Sequence, residues 1–262
     1  MDLMGWRRAV SRIVSEAHSA VHCLRGPRHG FRVLMYHAIG TPADRDRLGL
    51  YSISPPLFAS HMRALAAYQV CSINDIQASE AIDSRLHIAV TFDDGYKDNL
   101  YQAAPILLDL GIPFTIFVST GFTQSAHPSF LSPAELKELA GLPQVTIGTH
   151  GVAHTPLTEC DDNSLRSELG DSKAYLENLL GLPVSTMSYP FGAVDRRVRG
   201  AVEAAGYKMA FSSRFDINRS GRDPLLLCRT DILAMDSVRI LRQKLCGAWD
   251  WYRWRSPDPA IA

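Results

Sequence analysis

Two aspartates stand side by side in IAVTFDDGYKDNL, residues 88–100, where a run of strand-forming residues ends. Adjacent carboxylates repel, and burying either is costly unless a cation or a proton compensates it. Asp-Gly is also a common turn dipeptide. The stretch therefore reads either as a plain turn or as a metal ligand with a base beside it. The stretch GTHGVAHT adds His150 and His154, three residues apart in between and directly after another strand-like run. On a helical turn that spacing aims two imidazoles at one cation. Asp94, His150 and His154 then supply one carboxylate and two imidazoles. Such a set leaves room for water or substrate, as catalytic metal sites do. With Asp94 compensating a cation, Asp93 is free to act as a general base.

Two further stretches carry weaker signals. His37, in VLMYHAIG, ends the first strand-like run. It is either a core or loop histidine or a general acid that protonates a leaving amine, since imidazole titrates near neutral pH. SYPFG, residues 188–192, is an aromatic-Pro-aromatic-Gly turn. Tyr189, Pro190, Phe191 and Gly192 could wall a groove, and a backbone N–H there could face a developing oxyanion.

Positioning these residues requires a scaffold that ends many strands on one side. From Phe31 onward strand-like and helix-like segments alternate. FRVLMYH, HIAVTF, PFTIFVS, QVTIGTH, VSTMSYP, YKMAFSS and LLLCRTDI read as strands. PPLFASHMRALAAY, DNLYQAAPILLDLG, SPAELKELAG, DNSLRSELGDSKAYLENLLG, DRRVRGAVEAAG and SVRILRQKLCGAWDWY read as helices, the fourth strained at Gly170. SPAELKELAG has a Ser N-cap, Pro at N1 and Glu at N3. The alternation predicts an α/β fold, a distorted (β/α) barrel of about seven parallel strands. Active sites of such folds gather at the C-terminal strand ends, where His37, Asp93, Asp94, His150 and Pro190 to Gly192 fall.

Lys+Arg and Asp+Glu are balanced at 27 each, so no net field points to nucleic acid. The five cysteines are dispersed without CxxC spacing, which argues against a disulfide framework or a zinc-thiolate site. Three units are expected: an amphipathic helical extension over 1–30, the barrel over 31–250, and a tail over 251–262 whose SPDPAIA is disordered. Apolar residues recur at helical spacing across residues 4–24, so that helix packs on protein or lies peripherally on a membrane surface. Arg7, Arg8, Arg12 and Glu16 are incompatible with a signal peptide. A cytoplasmic location, at most peripheral at the inner face of the membrane, is expected. The sequence carries no reading of oligomeric state.

Taken together, and in order over about residues 32–232, TFDDG, THGVAH and SYPFG resemble the three leading motifs of the polysaccharide deacetylase family, the NodB-homology or carbohydrate esterase family 4 group. The resemblance implies a distorted (β/α) barrel and a metal-dependent hydrolase that removes N-acetyl groups from an aminosugar in a glycan or glycan precursor. It implies Asp93 as base, Asp94, His150 and His154 as ligands of a divalent cation, zinc first with other transition ions able to serve, and the Phe191 amide at the oxyanion. The third motif often begins with an arginine that tethers the base. Ser188 stands there instead, and Arg229, oriented by Asp231, is the candidate substitute. The family's usual acid histidine is C-terminal, yet no histidine follows His154. LMYHAIG is similar to the first strand of a circularly permuted subgroup that includes deacetylases of the exopolysaccharide poly-N-acetylglucosamine, which makes His37 the acid. Alternatives are deformylation of a lipid-linked aminosugar, or glycan binding without turnover.

Overall fold

The computed structural model describes residues 29–44, 46–78, 85–255 and 258. The helix expected over residues 4–24, with its membrane alternative, lies outside the described residues. The elements are β1 (Gly30–Tyr36), α1 (Pro55–Ala64), β2 (Gln69–Val70), α2 (Ile73–Ala78), β3 (Leu86–Phe92), α3 (Ala104–Asp109), β4 (Phe114–Val118), α4 (Thr120–Gln124), α5 (Pro133–Ala140), β5 (Val145–Thr149), α6 (Asp162–Leu180), β6 (Thr186–Ser188), α7 (Arg196–Ala204), β7 (Met209–Phe211), β8 (Thr230–Asp231) and α8 (Val238–Leu245). Seven parallel strands, in the order β7-β6-β5-β4-β3-β1-β8, curl into a half-barrel with helices outside. The short β2, which the sequence pattern does not announce, pairs with the first half of β3 while β4 pairs with the second.

Strands buried on both faces read as near-continuous apolar runs, and β1 is buried along its whole length. Alternate side chains still go to different places. Leu34, Tyr36, Ile88, Val90, Phe92, Phe114 and Ile116 pack outward, in the layer under the helices. Val33, Ala89, Phe117, Met209, Phe211 and Leu227 pack together inside the curl. Gly148 of β5 makes room for this inner layer: a Cβ there would lie 2.6 Å from the Phe117 ring and 2.8 Å from the Thr186 carbonyl. Carried past the strand ends, the inner parity reaches His37, Asp93, His150, Ser188 and Arg229. One repeat of two residues thus brings five of the chemically interesting side chains to one mouth.

The stretch read as one last strand, LLLCRTDI, is a bridge instead. Leu227 N–H donates to Ala210 at 2.9 Å and its carbonyl accepts from Ser212 at 2.8 Å, on the β7 side. Thr230 and Asp231 then pair with Leu34 and Met35 of β1. The same few residues therefore touch both ends of the sheet.

Local signals account for the helices. Ser132 and Glu135 form a reciprocal capping box at the start of α5. Asp161 caps α6, and Gly181, at φ 68°, ends it. The helix runs unbroken through Gly170, where a Cβ would meet nothing within 4 Å, so the strain expected there is absent. Of the expected tail, Tyr252 packs with Phe215, and Asp258 accepts from Arg222 at 2.7 Å. Of SPDPAIA only Asp258 is described, and it is docked; the rest of that stretch lies outside the described residues. Among the described residues no helix is long and apolar enough to cross a membrane. Cys71, Cys160, Cys228 and Cys246 are free thiols.

Candidate active site

Asp93 directly follows β3, and its N–H donates to the Tyr36 carbonyl at 3.0 Å, continuing the register of β1 with β3. Asp94 would point away from the mouth if the strand continued. Its backbone instead turns left-handed, with φ 72°, a region that aspartate enters more readily than most residues. The turn that Asp-Gly suggested is thus real, and it is what brings the second carboxylate back beside the first.

His150 and His154 leave β5 on a loop rather than on the helical turn that their spacing suggested. Gly151 and His154 both have left-handed backbone, at φ 74° and 52°. Asp94 Oδ1 lies 3.5 Å from His150 Nε2 and 3.2 Å from His154 Nε2. The ligand atoms of the three residues all fall within 4.8 Å of one another. His150 Nδ1 lies 2.9 Å from the Ser188 carbonyl, an acceptor only, so this nitrogen carries the proton and Nε2 presents its lone pair to Asp94. Burial lowers the His150 pKa to about 3 and keeps the ring neutral. Burial likewise raises Asp94 to about 6, with the Asp93 charge adding to it. Asp94 Oδ1 is buried without a hydrogen bond. One carboxylate and two imidazoles thus converge, and such a set suits a divalent transition ion such as zinc. The residues fit the cation that they were expected to hold.

Asp93 is treated differently. It is buried, which by itself would raise its pKa, but the Arg229 guanidinium outweighs that and holds it well below the usual carboxylate range. Arg229 grips both oxygens, Nη1 to Oδ1 at 2.6 Å and Nη2 to Oδ2 at 2.7 Å. Its Nε donates to the Ser212 carbonyl at 3.0 Å, and Asp231 is not among its partners. The backbone carbonyl of Asp231 instead accepts from Lys244 at 2.6 Å, so Ser212, rather than Asp231, aims the guanidinium. Ser188 donates to Asp93 Oδ1 at 3.2 Å and also lies 2.5 Å from His150 Nδ1. It links the base to the first imidazole.

His37 directly follows β1, half-buried, with its ring 4.7 Å from that of Tyr51. Its Nδ1 is buried without a hydrogen bond. Two residues that the sequence pattern did not single out hold it in place. Asn99 Nδ2 donates to the His37 carbonyl at 2.9 Å. Asp98 Oδ2 accepts from Ile39 at 2.8 Å and Thr41 at 2.9 Å. Both lie in the same stretch as Asp93, after it, and two polar residues ahead of an apolar helix were the available signal. In the third motif Tyr189 is buried and donates to the Leu225 carbonyl at 2.8 Å, and Pro190 is buried too. Phe191 is 59% exposed, with left-handed backbone, and its ring lies 4.6 Å from that of His154. A cleft of about 460 Å³ joins His37, both aspartates, both histidines, Arg229, Tyr189, Phe191 and Gly192.

The family model for polysaccharide deacetylase matches residues 82–210. Those residues, just under half of the chain, are similar to the polysaccharide deacetylase family. The matched deacetylase segment holds Asp93, Asp94, His150, His154 and the SYPFG turn, whereas His37 and Arg229 come from outside it. The chain is 28% identical to the Bacillus subtilis protein YxkH, named as a polysaccharide deacetylase, over 69% of this chain and 63% of that one. It is also 28% identical to the poly-beta-1,6-N-acetyl-D-glucosamine N-deacetylase of Staphylococcus aureus, over 47% of this chain and 46% of that one. The match thus spans less than two thirds of either curated relative. The deacetylase PplD of Streptococcus pyogenes, solved with acetate, has the same fold: a TM-score of 0.74 at 24% identity, covering 82% of this chain and 98% of that one.

Proposed function

We propose that this chain is a polysaccharide deacetylase, a metal-dependent N-deacetylase acting on an N-acetylated aminosugar within a glycan such as poly-β-1,6-N-acetylglucosamine or its precursor. The observation that carries the reading is the convergence of Asp94, His150 and His154 beside an Asp93 that Arg229 keeps ionised. A cation held by those three would supply Lewis-acid polarisation and an acidified water. Asp93 takes a proton from the water that adds to the amide carbonyl. The Phe191 backbone amide faces the oxygen that becomes negative. Across the cleft, His37 gives a proton to the departing nitrogen, which leaves as the amine while the acyl group leaves as acetate. The half-exposed Phe191 ring offers a face on which a sugar can stack.

Acetate release from N-acetylated β-1,6-linked glucosamine oligomers tests this. Release is expected, is lost with chelator and returns with zinc. His37→Ala is expected to lower turnover by about a hundredfold or more with metal content intact. Bound metal with no release from a broad panel of N-acetyl and N-formyl glycans would leave glycan binding as the function.

A further inference from the structure

The loop that carries His154 has no secondary structure of its own, and two of its residues stand in left-handed backbone. Glycine takes that conformation freely, but at His154 it persists only where the surroundings over-determine it. From one side, the N–H groups of Thr120 and Gly121 donate to the Gly151 and Val152 carbonyls at 3.1 and 2.9 Å. From the other side, a single carboxylate collects the loop's own N–H groups. Glu168 Oε2 accepts from Val152 at 2.6 Å, and both its oxygens accept from Ala153 at 3.2 Å. Gly151 is packed against the same carboxylate: a Cβ there would lie 2.7 Å from Oε2.

Glu168 lies on α6, is 8% exposed, and forms no ion pair among the described residues. A carboxylate so placed is stabilised by N–H dipoles rather than by a cation. It is an unusual choice for a helix face unless the charge or its geometry is used. Asp161, the exposed cap of the same helix, shows what an acidic residue does there for the helix alone. Glu168 sits two turns further along, and its contacts leave the helix for the residues between the two imidazoles.

We infer that Glu168 is a positioning residue of the candidate metal centre: it fixes the Val152–Ala153 peptide groups and so sets where His154 places its Nε2 relative to Asp94 and His150. The inference rests on the metal-site reading proposed above. It assigns to a residue on α6, beyond the ligands and the base, a share in holding the cation.

Cobalt(II) alone is the probe, titrated into the metal-stripped full chain and followed by calorimetry and by its visible absorption. Glu168→Ala is expected to weaken cobalt about tenfold or more and to change the absorption band. Glu168→Gln keeps an oxygen in reach of both N–H groups, and is expected to fall between wild type and Glu168→Ala. Leu176→Ala, about two turns along the same helix and buried in the outer layer, is the control for lost stability. It is expected to lower the melting temperature without moving cobalt affinity or spectrum. Wild-type affinity and spectrum in both Glu168 variants would overturn the inference, as would an equal loss in Leu176→Ala at a matched melting temperature. Should Glu168→Ala fail to fold, Glu168→Gln decides alone. If wild type binds no cobalt, or His154→Ala binds it equally well, the metal-site reading falls and the inference with it. Cobalt binding that is lost in His154→Ala but indifferent to Glu168 removes the inference only.

Discussion

Adjacent aspartates with the same covalent chemistry have opposite environments. Asp94 faces lone pairs and is pushed up by burial, to about 6. Asp93 faces a guanidinium and is held down. The difference is made by one side chain, since Arg229 supplies two short parallel hydrogen bonds and a full charge at once. It is itself fixed by the Ser212 carbonyl and lies over the Phe117 ring, 5.6 Å from its centroid. Arg229→Met, which leaves Asp93 buried without its counter-charge, is expected to lower kcat/KM for deacetylation by about a hundredfold or more. Arg229→Lys keeps the charge but not the fork and is expected to recover only part. Steady-state kinetics on one oligosaccharide checks the order, and equal activity of all three proteins would remove Arg229 from the machinery. Ser188, at the position where an arginine is usual, leaves room for this arrangement and adds its own hydrogen bond to the base.

At the scale of elements, α5 shows how local chemistry supports the site from a distance. Glu135 closes the capping box on Ser132 and also meets Lys97 at 3.2 Å, in the segment that follows Asp93 and Asp94. Burial works against its charge, but the Ser132 N–H, Lys97 and Tyr101 prevail and lower its pKa from 4.5 to about 2. A depressed carboxylate stabilises the fold fully above its unfolded pKa, and that contribution fades as pH falls through the folded value. Glu135→Gln is therefore expected to cost about 1 kcal/mol near neutral pH, the usual value of a cap, and progressively less between about pH 4.5 and 2. Urea melts at several pH values measure it. The capping box was legible in SPAELKELAG because every contact in it is local. So were most strands, because a parallel strand buried on both faces is an uninterrupted apolar run. The bridge at 227–232 was not, since it divides its pairing between Phe211, across the intervening loop, and the distant Leu34 of β1. The histidine loop was misjudged for the same reason: its shape is imposed by α4 and α6, and nothing within GTHGVAHT forces it. Asp93, Asp94, His150 and His154 could be picked out by type and spacing, while Arg229 entered only through a resemblance and a missing arginine.

The molecule as a whole is held by buried charge as well as by apolar layers. Arg32, fully buried in β1, donates to Asp250 at 2.8 Å and to Thr230 at 3.1 Å, which ties the first strand to the last turn. Asp250→Ala would strand that guanidinium, and a loss of about 3–5 kcal/mol in unfolding free energy is expected. The apolar exchange Arg32→Met with Asp250→Leu is expected to recover most of it, as measured by urea unfolding. The bridge at 227–232 has a further consequence, for how the protein comes into being. On the ribosome β1 emerges before the other described strands, and the strand that flanks it as β8 emerges after all of them. Asp94, His150 and His154 are all synthesised well before Arg229. A nascent chain can thus assemble its cation ligands while its base still lacks a counter-charge, and the catalytic carboxylate is completed by the same residues that close the sheet. Competence for chemistry is in this way timed to the emergence of β8.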